Sequence, residues 1–150
     1  MNERVIGIYL ILILTRVGIY AIRSPLGYDS LIIGEKKGAV AVSSDSGSFL
    51  NLGFKVVREI EPGEIILMKD GEWIRETKIE TSEIPKFCSF RWHFVFPTAI
   101  VGGISPAIVR KEIGALLALR DIKKGFIPDI ITAVPNSGRC EGIGYLGEFI

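Results

Sequence analysis

Short apolar runs, separated by glycine, proline and charged turn residues, dominate the first 85 residues of this 150-residue chain. The runs are rich in Val, Ile and Leu, which favours β-strands over helices. They predict strands at residues 30–33, 39–43, 55–60, 65–69 and 73–79, and a helical turn at 46–52. Tight connections are predicted at 34–38 and, from its Asp-Gly pair, at 69–72. The pattern therefore indicates an antiparallel β meander.

The longest apolar run extends from Val5 to Ile22 and contains one charge, Arg16. A membrane span needs about 20 apolar residues, and a central arginine costs about 2.5–3.5 kcal/mol there. Residues 15–18 resemble a turn, so a buried hairpin explains the run better. Residues 22–25 are also a poor match to the small-residue cleavage site of a signal peptide. We expect no membrane association, and a small membrane-anchored protein is the weaker alternative.

The pattern changes after Pro85. Residues 87–96 are aromatic and predict an extended segment, and residues 130–134 predict a strand buried on both faces of a parallel sheet. Between them, Ser105 as N-cap and Pro106 open a helix that runs to about Lys124 and ends at Gly125. The predicted core stripe of this helix consists of Ile108, Ile113, Leu116, Leu117 and Leu119, opposite Arg110, Lys111, Arg120 and Lys123.

Residues 135–139 form a polar loop between the predicted buried strand and a helix that starts near Cys140. The start of a helix presents unpaired backbone N–H groups, which favour phosphate or pyrophosphate. Gly138 would allow close approach, Arg139 would add a charged contact, and the Ser137 hydroxyl could reach a hydrated Mg²⁺. The alternative is a simple turn that caps a helix.

Charge and composition exclude several classes of protein. Eighteen basic and seventeen acidic residues give a net charge of +1, so no nucleic-acid partner is expected. Two cysteines and one histidine cannot build a zinc site or a disulfide framework, which favours a reducing, cytoplasmic setting. No cysteine, second histidine or carboxylate pair accompanies His93 in the sequence, so we predict a packed histidine and not a ligand or a base. Trp73 is predicted to lie on a face of the sheet. Glu59, Glu61 and Glu64 read as a solvated turn rather than a catalytic pair.

Several sequence blocks, in this order, resemble an internal portion of amidophosphoribosyltransferase, the glutamine phosphoribosylpyrophosphate amidotransferase of purine synthesis. They are residues 7–9, 24–27, 31–34, 41–44, 58–65, 88–90, 103–105, 134–138 and 144–145. The resemblance implies an α+β fold. Residues 1–85 would be a partial glutaminase region with an Ntn-hydrolase-type antiparallel sheet. Residues 86–150 would hold the first strand-helix-strand elements of a phosphoribosyltransferase-type α/β domain.

The resemblance also implies where chemistry is present and where it is missing. The family's N-terminal nucleophilic cysteine has no counterpart near Met1, and its paired-aspartate loop has none either, so no catalytic residue is expected. Asn136, Ser137, Gly138 and Arg139 would bind phosphate or phosphoribosylpyrophosphate, with Mg²⁺ beside Ser137 and Asn136 replacing an acidic residue. Cys88 matches one of four cluster cysteines of iron–sulfur members. Without the other three we expect no cluster and a small core residue.

Two hypotheses for function follow. The first is a truncated relative that is not catalytic alone but retains phosphate affinity or acts as an interaction module. The second is one component of a split, active enzyme assembled with other chains. Either way, an incomplete sheet leaves an apolar face that a second copy or a heteromeric partner would cover.

Overall fold

The computed structural model describes residues 5–79 and 84–150 of the chain. Two compact units divide it, the first ending at Ser89 and the second starting at Phe90. Among the described residues the strands lie in the first unit and the long helices lie in the second, so the predicted α+β class is confirmed. The assignment of residues 1–85 and 86–150 to two enzyme domains stays a prediction, and the chain start at Met1 lies outside the described residues. No helix in the described ranges is long and apolar enough to cross a membrane.

The elements follow the predicted strand pattern closely. In chain order they are β1 Leu10–Leu14, β2 Ile19–Arg23, β3 Ile32–Lys36, β4 Ala39–Ser43, α1 Gly47–Leu52, β5 Lys55–Glu59, β6 Glu64–Lys69, β7 Glu72–Lys78, α2 Arg91–Phe94, α3 Pro106–Lys123 and α4 Arg139–Gly147. The hairpin predicted for residues 5–22 is confirmed by the antiparallel pairing of β1 with β2, which places Leu12 opposite Ala21.

The strands form two antiparallel sheets rather than one meander. Sheet 1 has the order β1-β2-β6-β7, and sheet 2 has the order β4-β3-β5. The chain leaves sheet 1 after β2, builds sheet 2, and returns through β6 beside β2. This arrangement buries an apolar face of each sheet against the other. The resulting core consists of Ala21, Leu31, Ile33, Ile60, Ile66 and Met68, with Leu10, Val40, Val42 and Trp73 packed against it.

The aromatic segment at 87–96 is not extended throughout. Residues 91–94 form the short helix α2. The buried side chain of Arg110 donates hydrogen bonds to the carbonyl oxygens of Trp92, at 2.6 Å, and Val95, at 2.8 Å. The guanidinium group of Arg110, on α3, therefore provides hydrogen-bond donors for two carbonyl oxygens at the end of α2. This contact joins residues distant in sequence, so the local sequence pattern does not predict it.

Helix α3 starts and ends where the sequence predicts. Pro106 occupies its first position, and Gly125 follows it with a φ of 76°, in the left-handed region. The Ser105 hydroxyl does not cap the helix. It donates a hydrogen bond to the carbonyl oxygen of Pro97, at 3.0 Å.

The predicted apolar stripe of α3 is wrong. Leu116 is 65% exposed, and the other four predicted stripe residues are also exposed, at 38–59%. The residues of α3 that are buried are Pro106, Arg110, Gly114 and Ala118. The small residues Gly114 and Ala118 let α4 approach this face of α3 closely. The two helices therefore pack through their backbones, and not through the leucine side chains that the apolar periodicity of α3 predicts.

The strand predicted at 130–134 is also wrong. The described residues between α3 and α4 form no strand, and both Ile130 and Val134 are exposed. A parallel strand requires neighbouring strands for its hydrogen bonds, and the second unit contains none among the described residues. The apolar run therefore has no strand partner among the described residues.

Candidate phosphate-binding loop

Residues 135–138 form a turn that leads directly into α4. The first hydrogen bond of the helix joins the N–H of Gly142 to the carbonyl oxygen of Gly138, at 2.9 Å. The N–H groups of Arg139, Cys140 and Glu141 precede that bond and have no acceptor within the helix. The predicted helix start is confirmed, and it presents three backbone donors at one end of α4.

The four predicted site residues contribute differently. Asn136, Ser137 and Arg139 are exposed next to this helix end. Gly138 is half-buried, and its N–H donates to the carbonyl oxygen of Val134, at 3.0 Å. A Cβ atom at Gly138 would also lie 3.0 Å from that oxygen. Gly138 therefore shapes the turn, while the N–H groups that remain free belong to the residues after it.

The charges near the loop have opposite signs. Arg139 favours an anion, whereas Glu141 in the first turn of α4 opposes one. The Glu141 carboxylate lies 3.9 Å from the Nδ1 atom of His93, so the histidine has an acidic neighbour that sequence reasoning missed. The second oxygen of this carboxylate is buried and has no hydrogen-bond partner among the described residues. An anion at the loop is thus expected on the Arg139 side of the helix end.

An apolar groove of about 280 Å³ adjoins Arg139. Its other lining residues are Ile131, Ala133, Gly142, Ile143 and Leu146. Because the walls carry no second charge, the groove itself offers little to a phosphate. The polar contacts of this region are concentrated at its edge, where Arg139 and the helix N–H groups lie.

The loop by itself does not fit a resident magnesium ion. Mg²⁺ is usually held by one or two carboxylates together with phosphate oxygens and water. Asn136 and Ser137 offer only neutral oxygens. The described residues contain no cluster of three or more His, Cys, Asp or Glu side chains that could hold a metal ion.

Neither cysteine forms a disulfide among the described residues, and both are half-buried. A hydrogen bond with the Cys88 side chain raises the pKa of the Tyr28 phenol. Cys88 is therefore a partly exposed residue beside a tyrosine rather than a small core residue. The absence of an iron–sulfur cluster stays a prediction.

Glu61 lies exposed in the connection between β5 and β6, as predicted, but Glu59 and Glu64 belong to the strands and are not solvated turn residues. The Glu64 side chain is fully buried, and its carboxylate accepts hydrogen bonds from Arg58 at 2.6 and 2.7 Å and from the N–H of Glu61 at 2.7 Å. Burial raises the pKa of Glu64, but these hydrogen bonds outweigh it, so the pKa lies below its ordinary value.

Glu59 also forms an ion pair with an arginine. Its carboxylate lies 3.0 Å from the buried guanidinium of Arg23 and accepts a hydrogen bond from the Ser30 hydroxyl at 2.5 Å. Each of the two carboxylates, Glu59 and Glu64, is therefore paired with an arginine within the first unit.

No model of a protein family matches the chain. It is 33% identical over 149 residues to the amidophosphoribosyltransferase of Archaeoglobus fulgidus, covering 99% of this chain and 32% of that protein. It is 35% identical to the amidophosphoribosyltransferase of Pyrococcus horikoshii, covering 97% of this chain and 31% of that protein. The chain thus spans about a third of the length of the curated relatives it matches.

Two solved structures share the fold. One is the glutamine phosphoribosylpyrophosphate amidotransferase of Bacillus subtilis complexed with ADP and GMP, with a TM-score of 0.85 and 29% identity over 95% of this chain and 31% of that one. The other is described as the allosteric regulatory enzyme of purine biosynthesis, with a TM-score of 0.84 and 29% identity over 95% of this chain and 30% of that one.

Proposed function

Because these matches make the chain a homologue of an internal portion of amidophosphoribosyltransferase, an enzyme of purine biosynthesis, we propose that it binds phosphate or phosphoribosylpyrophosphate and is not catalytic alone. The site would comprise Asn136, Ser137, Gly138 and Arg139. The observation that supports it is the exposed start of α4, where three N–H groups without helical acceptors lie beside an exposed serine and arginine.

Each residue has a defined part in this proposal. The guanidinium of Arg139 donates two hydrogen bonds to one phosphate, and the N–H groups of the first turn of α4 donate to the same anion. The Ser137 hydroxyl contacts the ligand or a Mg²⁺ ion that arrives bound to the pyrophosphate oxygens. Asn136 donates through its amide, and Gly138 maintains the turn.

The lack of independent catalysis is supported by what the acidic residues do. Glu59 and Glu64 each form an ion pair with an arginine, at 3.0 and 2.6 Å, so the carboxylates of this acidic run already have partners within the first unit. We also propose a cytoplasmic location, because neither cysteine forms a disulfide within the part of the chain that the structure describes.

We also propose a protein partner, because both units expose apolar surface. In the first unit Leu12, Leu14, Ile19 and Ile74 of sheet 1 are exposed. In the second unit Phe94, Phe96, Leu116, Ile127 and Ile130 are exposed. Contiguous apolar patches of this kind mark interaction surfaces. A second copy or a different polypeptide would cover them.

The alternative proposal is a component of a split, active amidophosphoribosyltransferase. The chain matches about a third of the length of each relative, so this proposal is tested with polypeptides that correspond to the remaining parts of those relatives. Under this proposal other chains supply the glutamine-hydrolysing and phosphoribosyl-transfer groups.

Calorimetric titration with phosphoribosylpyrophosphate and Mg²⁺ tests the site. We expect binding by the parent, weakening of about tenfold or more in Arg139→Ala, a smaller loss in Ser137→Ala, and no change in the control Arg120→Ala. Absence of heat in the parent, or equal weakening by the control, would contradict the proposal.

Activity measurements distinguish the two hypotheses. Release of ammonia from glutamine, or formation of phosphoribosylamine, by the purified chain alone would overturn the non-catalytic proposal. Activity that appears only after addition of a second, complementary polypeptide would establish the split enzyme.

A further inference from the structure

The loop before α4 offers hydrogen-bond donors and positive charge but no carboxylate. Residues 130–140 contain neither aspartate nor glutamate. The exposed residues Asn136, Ser137 and Arg139 provide an amide, a hydroxyl and a guanidinium group next to the first turn of α4. Each of these groups donates hydrogen bonds to anionic oxygens, and the guanidinium has no acceptor for a cation. The loop therefore suits an anion and lacks the charged ligands that Mg²⁺ prefers.

A second positive charge lies beside the same end of α4. The exposed residue Lys111 of α3 and Cys140 of α4 line one groove, which has a volume of about 230 Å³. The start of a helix also carries the positive end of the helix dipole. Together with Arg139, these features give the start of α4 a positive electrostatic environment, which favours an anion that carries its full negative charge.

Glu141, the acidic residue closest to Asn136 in sequence, does not replace the missing carboxylate of the loop. One of its carboxylate oxygens lies 3.9 Å from the Nδ1 atom of His93, and the other is buried. The buried oxygen is not accessible to a metal ion at the exposed residues 136 and 137, and the first oxygen faces the histidine. The loop thus depends on its own neutral oxygens for any contact with a metal ion.

We propose that the loop binds phosphoribosylpyrophosphate in its metal-free form, and that Asn136 sets this preference. The inference rests on the proposed phosphate site at residues 136–139. A neutral amide at position 136 donates to a phosphate oxygen, whereas a carboxylate there would repel the free anion and attract its Mg²⁺ complex. In that complex part of the negative charge is neutralised, and some phosphate oxygens are no longer available to the loop donors. Addition of Mg²⁺ therefore weakens binding.

Calorimetric titration with phosphoribosylpyrophosphate, in EDTA and in excess Mg²⁺ at matched ionic strength, tests this preference. We expect the parent to bind about threefold more tightly, or better, in EDTA. In Asn136→Asp the preference should reverse. Binding in EDTA is expected to weaken by about tenfold, because the new carboxylate repels the free anion, and Mg²⁺ should restore part of the affinity.

Two further variants separate the charge at position 136 from the loss of the amide. Asn136→Ala removes the amide donor without adding a charge, so it should weaken binding by a similar, smaller factor in both conditions. Asn51→Asp introduces the same charge at an exposed residue of α1, outside the proposed site, and should leave both affinities unchanged. Circular dichroism of each variant checks that its helical content is retained.

The possible outcomes distinguish this inference from the proposed site itself. Binding by the parent that is equal or tighter in Mg²⁺ would overturn the inference and leave the phosphate site intact. Absence of binding in both conditions would overturn both proposals. The same response of Asn136→Asp and Asn136→Ala to Mg²⁺ would show that charge at position 136 does not set the preference. The comparison of the parent in the two conditions requires no variant, so it decides the preference even if a variant misfolds.

Discussion

Gly114 of α3 lies directly against Glu141 of α4, so closely that a Cβ atom on the glycine would be 1.9 Å from the glutamate's carbonyl oxygen. A second contact of the same kind has the glycine on α4. A Cβ atom on Gly144 would lie 1.8 Å from the carbonyl oxygen of Lys111 on α3. The two helices therefore cross backbone to backbone. This crossing explains why the buried face of α3 carries small residues while its leucines remain exposed.

The Gly114→Ala substitution is expected to destabilise the helical unit by about 3 kcal/mol, because a methyl group cannot be accommodated without separating the helices. Denaturant unfolding followed by helical circular dichroism would measure the change. The matched control is Gly147→Ala, since nothing lies within 4 Å of a Cβ atom there. That variant should be neutral or gain about 0.5 kcal/mol from helix propensity. Equal stability of the two variants would show that the crossing is looser than described.

The Glu64→Gln substitution is expected to lower the free energy of unfolding by about 2 kcal/mol near neutral pH, because Arg58 loses its buried carboxylate partner. The folded-state pKa of Glu64 lies below its ordinary value, so ionisation of this carboxyl contributes stability above the unfolded pKa. The unfolded-state pKa of a glutamate is about 4.3. The stabilising contribution therefore decreases as the pH falls below that value, and it is lost once the pH passes through the lower pKa of the folded state.

Unfolding of the parent and of Glu64→Gln across a pH series measures this linkage. The difference in the free energy of unfolding between the parent and Glu64→Gln should become smaller as the pH is lowered. The control is Glu76→Gln, an exposed residue of β7. A difference that stays constant with pH would contradict the assignment of the effect to the carboxylate charge.

The Arg110→Lys substitution is expected to loosen α2 from α3 and cost about 2 kcal/mol, because an ammonium group cannot donate to two carbonyl oxygens in the fork geometry of arginine. Hydrogen exchange of residues 91–96 should accelerate. The exposed Arg120→Lys serves as the control and should leave exchange unchanged. Slow exchange in both variants would show that α2 is held by other contacts.

The Tyr145→Phe substitution is expected to weaken the contact between α4 and α3 and to lower the melting temperature. The Tyr145 hydroxyl donates to the carboxylate of Asp121 at 3.1 Å. Partial burial and this hydrogen bond raise the pKa of Tyr145. Its stabilising effect is therefore present below the unfolded tyrosine pKa, about 10, and is lost as the pH rises through the folded value.

Alkaline melting curves of the parent and Tyr145→Phe should converge as the pH rises. Tyr20→Phe, in the other unit, provides the comparison and should track the parent throughout. Curves that remain parallel would contradict a role for the phenol proton.

Local signals predicted much of the local structure. Alternating apolar residues and turn residues located the strands, and Pro106 and Gly125 marked the ends of α3, because strand period and helix termini depend on neighbouring residues in the chain. The start of α4 after Gly138 was predictable for the same reason. The ordered blocks over residues 7–145 also carried the resemblance to amidophosphoribosyltransferase.

Contacts between residues distant in sequence decided the rest. The return of β6 beside β2, the ion pair of Arg58 with Glu64, and the Arg110 fork depend on side chains that meet only after the sheets and helices pack. The failed strand at 130–134 and the exposed leucines of α3 have a common physical reason. An apolar residue is buried only where a neighbouring surface exists to cover it, and the sequence determines the apolar pattern while the tertiary structure determines which surfaces meet.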